Sequence, residues 1–209
     1  MGEITYEIAF TLAKHLEKWV KSIVPSYEVG RINRILKRPF GRLIHYHSSL
    51  DFDHKNKEEA VYWHSDTSSL TTLCSPIYLD KDGHIVPSMT DEPEHGLEIL
   101  KRDGSVNSCC IPSDCIALQI GEIFQILSGG KLEATPHRVV ATKYPNYTRE
   151  QFANFILQQF DQILSIPQCS TEEDVFRNQS DKVPDLRVRW KNGDSCKLLI
   201  DNSFDYFSK

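Results

Sequence analysis

The sequence predicts a mainly β protein: a sandwich or barrel of short strands entered through one amphipathic helix. Three observations carry that prediction. Apolar residues recur at helical steps near the N-terminus, then fall into short runs from Arg42 onward, and Gly, Pro, Asp and Ser separate those runs at turn spacing.

The helix comes first. Ile4, Ile8, Leu12, Leu16, Trp19 and Ile23 recur three or four residues apart, and Pro25 stops the pattern. That stripe is expected to pack on the outside of a larger core. Strands are then expected at 43–46, 70–73, 97–100, 115–120, 124–127 and 139–142, with Asp82-Gly83 and Asp103-Gly104 as turns between runs. Closing such short strands into a sandwich or barrel protects their edges. Phe152, Phe155, Ile156, Phe160, Ile163 and Leu164 follow helical spacing, yet residues 152–157 also suit a buried strand, and periodicity alone leaves both open. Near the C-terminus, runs at 186–190 and 196–200 flank Asn192-Gly193, which permits either a hairpin or a terminal helix.

At 209 residues with 40% hydrophobic content, one domain with a substantial core is expected. Lysine and arginine number 24 against 29 acidic residues, a formal charge of −5 without any block of like charge. No nucleic-acid or anionic-membrane partner is expected, because both need a clustered basic face. Neither an apolar leader nor a run of about 18 apolar residues occurs, and Tyr6 stands where a myristoylation pattern needs Ser or Thr. The expected location is cytoplasmic. The six cysteines lack Cys-x-x-Cys spacing and are expected to be free thiols, which makes the sequons at Asn146 and Asn178 coincidental.

The chemistry begins at His64-Ser65-Asp66. In a strand, residues i and i+2 face one side, so an imidazole and a carboxylate would stand together. Two histidines and one carboxylate on one octahedral face hold iron(II) in non-haem oxygenases and leave three positions open. His-x-Asp alone arises easily among eight histidines, and a solvated turn is the plain alternative. His137, at the head of a later apolar run, could return to the same end of a barrel. Arg149 follows twelve residues on, a guanidinium suited to bidentate pairing with a carboxylate, or simply a solvated loop charge.

The pieces stand in a telling order: Tyr46, His64-Ser65-Asp66, Leu70-Thr71-Thr72-Leu73, Gly96-Leu97-Glu98-Ile99, Asp103-Gly104 and Ile111-Pro112. Ala117-Leu118-Gln119-Ile120-Gly121-Glu122, His137-Arg138-Val139 and Arg149 follow. This series resembles the iron(II)- and 2-oxoglutarate-dependent dioxygenases of the isopenicillin N synthase-like group. The stretches 129–137 and 148–153 look like a poorly characterised eukaryotic branch of it. The likeness runs from about Arg42 to Asp161 and implies a double-stranded β-helix, or jelly roll, with an N-terminal packing helix and short flanking helices. It divides the single domain 1–209 into an N-terminal helical segment (1–40), a jelly-roll catalytic core (42–161) and a C-terminal extension (162–209), and it implies a strand through 152–157.

The resemblance also implies roles. His64, Asp66 and His137 would be iron(II) ligands, and Arg149 would pair with the distal carboxylate of 2-oxoglutarate, with Tyr46 and Gln151 beside it. Two positions depart from the family: Gln151 stands where Ser is usual, and Ile44 where an Asn often precedes the strand tyrosine. The implied activity is a dioxygenase that consumes 2-oxoglutarate and dioxygen and hydroxylates a small molecule, forming succinate and carbon dioxide. A non-catalytic jelly-roll binding protein and an iron oxidase that does not use 2-oxoglutarate are the competing readings. Glu122 is expected to serve either as a turn carboxylate or behind the metal ligands. Trp63 is expected to pack on the face opposite His64, and the loops 48–53 and 80–93 to shape the pocket mouth; the short N-terminal region suggests a more open pocket, a shortened variant or a missing partner surface.

Overall fold

The computed structural model describes residues 1–35, 39–47, 59–86, 96–141 and 146–208. The chain enters through α1 (Gly2–Ile23), passes β1 (Phe40–Tyr46), β2 (Glu59–His64), β3 (Leu70–Cys74), β4 (Ile77–Leu79), β5 (Gly96–Leu100), β6 (Val106–Ser108) and β7 (Ile116–Ile120), and turns through α2 (Glu122–Leu127). It closes with β8 (His137–Val140), β9 (Thr148–Ile156), α3 (Glu172–Phe176) and α4 (Cys196–Phe207). Two antiparallel sheets result, one ordered β1-β9-β3-β7 with β4 also on β9, the other β2-β8-β5-β6. Partners far apart in sequence, β1 with β9 and β2 with β8, give the jelly roll its two-sheet closure. The strand through 152–157 is β9. The expected loop 48–53, residues 87–93 of the second loop, and Thr142 lie outside the described residues.

Three expectations need correction. Residues 124–127 are helix, not strand. Gly121 enters α2 extended, and the six residues of the helix make fewer than two turns, too few to separate a helical period from a short buried strand, while every residue from Glu122 to Leu127 is buried. The α1 helix forms as expected but presents a different face: Thr5, Ala9, Ala13, Glu17 and Val20 are buried, whereas Ile4, Ile8, Trp19 and Ile23 are exposed. Small side chains allow the helix to lie close against β3 and β9, where Asn154 Nδ2 donates to Thr5 Oγ1 at 2.8 Å. Glu17 tolerates burial because its carboxylate accepts from the Gly30 and Ile32 amides and from Asn33 Nδ2. Third, Asp66 lies beyond the end of β2 rather than within the strand. Near the C-terminus the helix alternative holds, with α4 capped by Ser195.

The core sits in an unusual place for a closed pair of sheets. Its larger part lies outside the barrel, where α1, α2 and the C-terminal segment pack on Leu70 and Ile156. A smaller cluster around Leu73, Leu97, Ile111 and Ala153 lies within. The barrel interior is therefore left partly hollow. No helix among the described residues is long and apolar enough to cross a membrane, and all six cysteines are free.

Candidate metal centre and acid-binding cavity

The hollow is a cavity of about 550 Å³ between the sheets, with His64, Asp66, His137, Tyr46, Arg149 and Gln151 among its lining residues. That volume suits a small organic ligand.

One end is built by pairing. His64 and His137 face each other across β2 and β8, with ring centroids 4.2 Å apart. The β2–β8 register shifts between Val61 and His64, a bulge that brings both side chains to the cavity. Each Nδ1 donates to the carbonyl two residues earlier, Tyr62 for His64 at 2.8 Å and Thr135 for His137 at 2.9 Å. Those bonds fix the rings and turn both Nε2 atoms inward.

Asp66 Oδ1 lies 3.7 Å from His64 Nε2 and 3.8 Å from His137 Nε2. These separations are too long for hydrogen bonds but fit a shared ion, since metal bonds of about 2.1 Å hold two ligand atoms at most about 4.2 Å apart. The second oxygen of Asp66 is buried with no hydrogen-bond partner among the described residues. A carboxylate left so is a poor structural element and a good ligand. Burial lowers the pKa of His64, and the neighbouring His137 lowers it further, which favours the neutral ring that ligation requires.

The turn bearing Asp66 is stitched to α2. Glu122 N donates to Asp66 O at 2.9 Å, and Gly121 and Ile123 amides bond to Ser69 and Ser68 carbonyls. A Cβ on Gly121 would meet Ser68 O at 2.1 Å, so only glycine permits this approach. Behind the turn, Arg189 grips Glu122 with two bonds of 2.8 and 2.5 Å while reaching Thr67 and Ser203. Burial raises the Glu122 pKa, and the Arg189 contacts oppose that rise. The Glu122 carboxylate touches none of the three candidate ligands; it braces the turn that carries Asp66, and the ring partners of the histidines are backbone carbonyls. Trp63 is half-buried, with the Arg138 guanidinium 4.9 Å from its ring centre.

The other end is built by β9. Arg149, Gln151, Ala153 and Phe155 alternate into the cavity, and Tyr46 pairs directly with Arg149 across β1. Arg149 is buried; its Nη2 donates to Gln151 Oε1 at 2.5 Å, while Nε and Nη1 have no hydrogen-bond acceptor among the described residues. Gln151 is held in turn by donating to Cys74 O. Burial raises the Tyr46 pKa, with Arg149 opposing, so its hydroxyl stays a donor near neutral pH. Gly96, at φ +96°, lies under the guanidinium, where an added Cβ would sit 3.0 Å from Arg149 Nε.

The residues singled out from sequence therefore share one cavity. Sequence reasoning passed over Gln119, which lines the same cavity, is 4% exposed and has neither amide atom partnered among the described residues. Its alternation with Leu118 along β7 was the available signal. For Arg189, far along the chain, there was none.

The profile of the 2OG-Fe(II) oxygenase superfamily matches residues 42–157. No curated protein sequence matches the chain. Among solved structures, a full-length Neurospora crassa protein in complex with alpha-KG and thymine is similar at 15% identity and TM-score 0.58, over 97% of this chain and 55% of that one. A Caulobacter crescentus protein described as of the 2OG-Fe(II) oxygenase family aligns at 20% identity and TM-score 0.57, over 94% and 56%. JOX2 in complex with 2OG, Fe and JA aligns at 17% identity and TM-score 0.54, over 83% and 45%. These likenesses show the fold, and the chain spans about half the length of those proteins. The profile covers more than half of the chain and includes His64, Asp66, His137 and Arg149: the chain belongs to the 2OG-Fe(II) oxygenase superfamily.

Proposed function

We propose that the protein is an iron(II)- and 2-oxoglutarate-dependent dioxygenase acting on a small molecule. His64, Asp66 and His137 hold the metal, and Arg149 holds the distal carboxylate of the co-substrate. The observation that carries this reading is a pair of unmet needs in one cavity: ligand atoms converging without bonding one another, and two buried Arg149 N–H groups without acceptors among the described residues. The balanced reaction joins a substrate C–H, 2-oxoglutarate and dioxygen to give the alcohol, succinate and carbon dioxide. When bound, iron supplies the redox chemistry, and the protein supplies position and shelter. Tyr46 donates its hydroxyl toward the carboxylate held by Arg149, and Gln151 keeps the guanidinium plane fixed. The small molecules named with the Neurospora crassa protein and with JOX2, thymine and JA, support a substrate of that size. Residues 42–161 form the catalytic unit, and 162–209 brace it through Arg189.

Anaerobic addition of iron(II) and 2-oxoglutarate tests the proposal. A visible charge-transfer band is expected, lost in His64→Ala and weakened in Arg149→Ala, followed by succinate formation in air. Absence of iron binding would leave the non-catalytic reading. Iron binding without response to 2-oxoglutarate favours an oxidase in which Arg149 takes a substrate carboxylate, a reading motivated by Gln151 already occupying one guanidinium nitrogen.

A further inference from the structure

The edge of the cavity carries a second, exposed arginine that the reaction above does not use. Arg42 lies on β1 opposite Ala153, and both line the cavity. Its guanidinium carbon is 5.2 Å from the centre of the Phe155 ring, a stacked position that keeps the planar group oriented. Arg42 makes no hydrogen bond or ion pair with a described residue, while most other arginines of the protein do.

Counting charges around the cavity sharpens the point. Asp66 is the only carboxylate among its described lining residues, and it faces the two histidines. Iron(II), if bound, would be balanced by Asp66 and the near carboxylate of 2-oxoglutarate, and Arg149 by the distal one. Arg42, open to solvent on one side, is then the cation of the cavity without an assigned anion. It also stands apart from Arg149, because it precedes Tyr46 by four residues on the same strand face, about 13 Å at ~3.3 Å per residue. A five-carbon diacid held at the metal and at Arg149 does not extend there. The apolar part of the lining is Leu73, Ala153, Phe155, Leu97 and Val139, with Thr71 and Gln119 next to Phe155 in the sheet.

We infer that Arg42 is the substrate anchor, and that the substrate is an organic carboxylate with an apolar ring or chain, its anionic end on Arg42 and its body along Leu73, Ala153, Leu97 and Val139. This rests on the dioxygenase reading and adds the substrate class to it. Gln119, with donor and acceptor both free among the described residues, offers a hydrogen bond to any polar group at the far end of that body.

The test uses phenylacetate and cyclohexylacetate against their neutral amides, titrated calorimetrically into the protein loaded anaerobically with iron(II) and 2-oxoglutarate. The acids are expected to bind and to perturb the charge-transfer band without removing it, and the amides to bind about tenfold more weakly. Arg42→Gln is expected to weaken the acids about tenfold and leave the amides, the band and 2-oxoglutarate affinity unchanged. Acid and amide binding equally, neither binding, or an unchanged Arg42→Gln would overturn the proposal and make Arg42 an edge-strand charge only. Displacement of 2-oxoglutarate by the acids would overturn it too, assigning them to Arg149. Should the band never form, the dioxygenase reading fails, and the same acid and amide titrations on metal-free protein still decide for or against Arg42.

Discussion

The two ends of the cavity are built on opposite terms. At the metal end each histidine is already oriented by a backbone carbonyl, and the Asp66 turn is bonded to α2, with the Glu122–Arg189 pair behind it. At the acid end Arg149 has a single side-chain acceptor and two buried N–H groups without one among the described residues. A cation meets finished geometry; an anion completes unfinished bonding. The lesson is that preorganisation and unmet hydrogen bonding are alternative ways of storing affinity, and one small barrel uses both.

The contrast can be broken at either end. His137→Ala removes a ligand from the finished end, and complete loss of iron(II) binding by anaerobic titration is expected, with the fold retained by circular dichroism. Arg189→Met leaves Glu122 buried and unpaired, and a loss of about 3–5 kcal/mol in denaturant unfolding is expected, with iron affinity falling as the Asp66 turn loosens. Arg149→Leu acts on the unfinished end alone: iron binding persists, while 2-oxoglutarate affinity falls about a hundredfold, the worth of charge-assisted hydrogen bonds lost at a buried site. Gly96→Ala tests the same end more gently. Its positive φ and the close approach to Arg149 Nε predict about tenfold weaker 2-oxoglutarate binding, near the ~1–2 kcal/mol cost of a left-handed residue bearing a Cβ.

The smallest effect concerns protons. Burial and His137 hold the His64 pKa below the ordinary value, so in metal-free protein the unfolded chain takes up the proton first as pH falls. The stability that neutral His64 contributes is whole above about pH 6.5 and is lost as pH drops through its lower folded value. Melting temperature should therefore decline more steeply between about pH 7 and about pH 5 in the metal-free parent than in His64→Gln. Equal slopes would remove His64 from the account.

What could be read in the sequence follows a physical line. His64, Asp66, His137 and Arg149 were legible because their types and order carry chemistry, and the strands because short apolar runs, most of them buried on both faces, are bounded by turn residues. The α2 helix was not, because six residues span too few turns to tell a helical period from a short apolar strand. The α1 stripe misled for a different reason. Hydrophobicity ranks Ile4 and Ile8 above Ala9 and Ala13, whereas close packing against a sheet selects small side chains. Tyr46 was weakened by Ile44 two positions before it, yet cross-strand pairing brings it to Arg149 all the same. Partners such as Arg189 and Gly96 depend on tertiary proximity that no local pattern encodes.

The placement of the larger core outside the barrel has a consequence for how this chain tolerates change. Most of the apolar mass that keeps the chain folded lies between the helices and the back of one sheet, away from the residues that would touch a ligand. Substitutions among the lining side chains, such as Ala153 or Val139, can therefore alter ligand fit while drawing little on the reserve that holds the fold. Ligand fit and fold stability are thereby carried by largely different side chains.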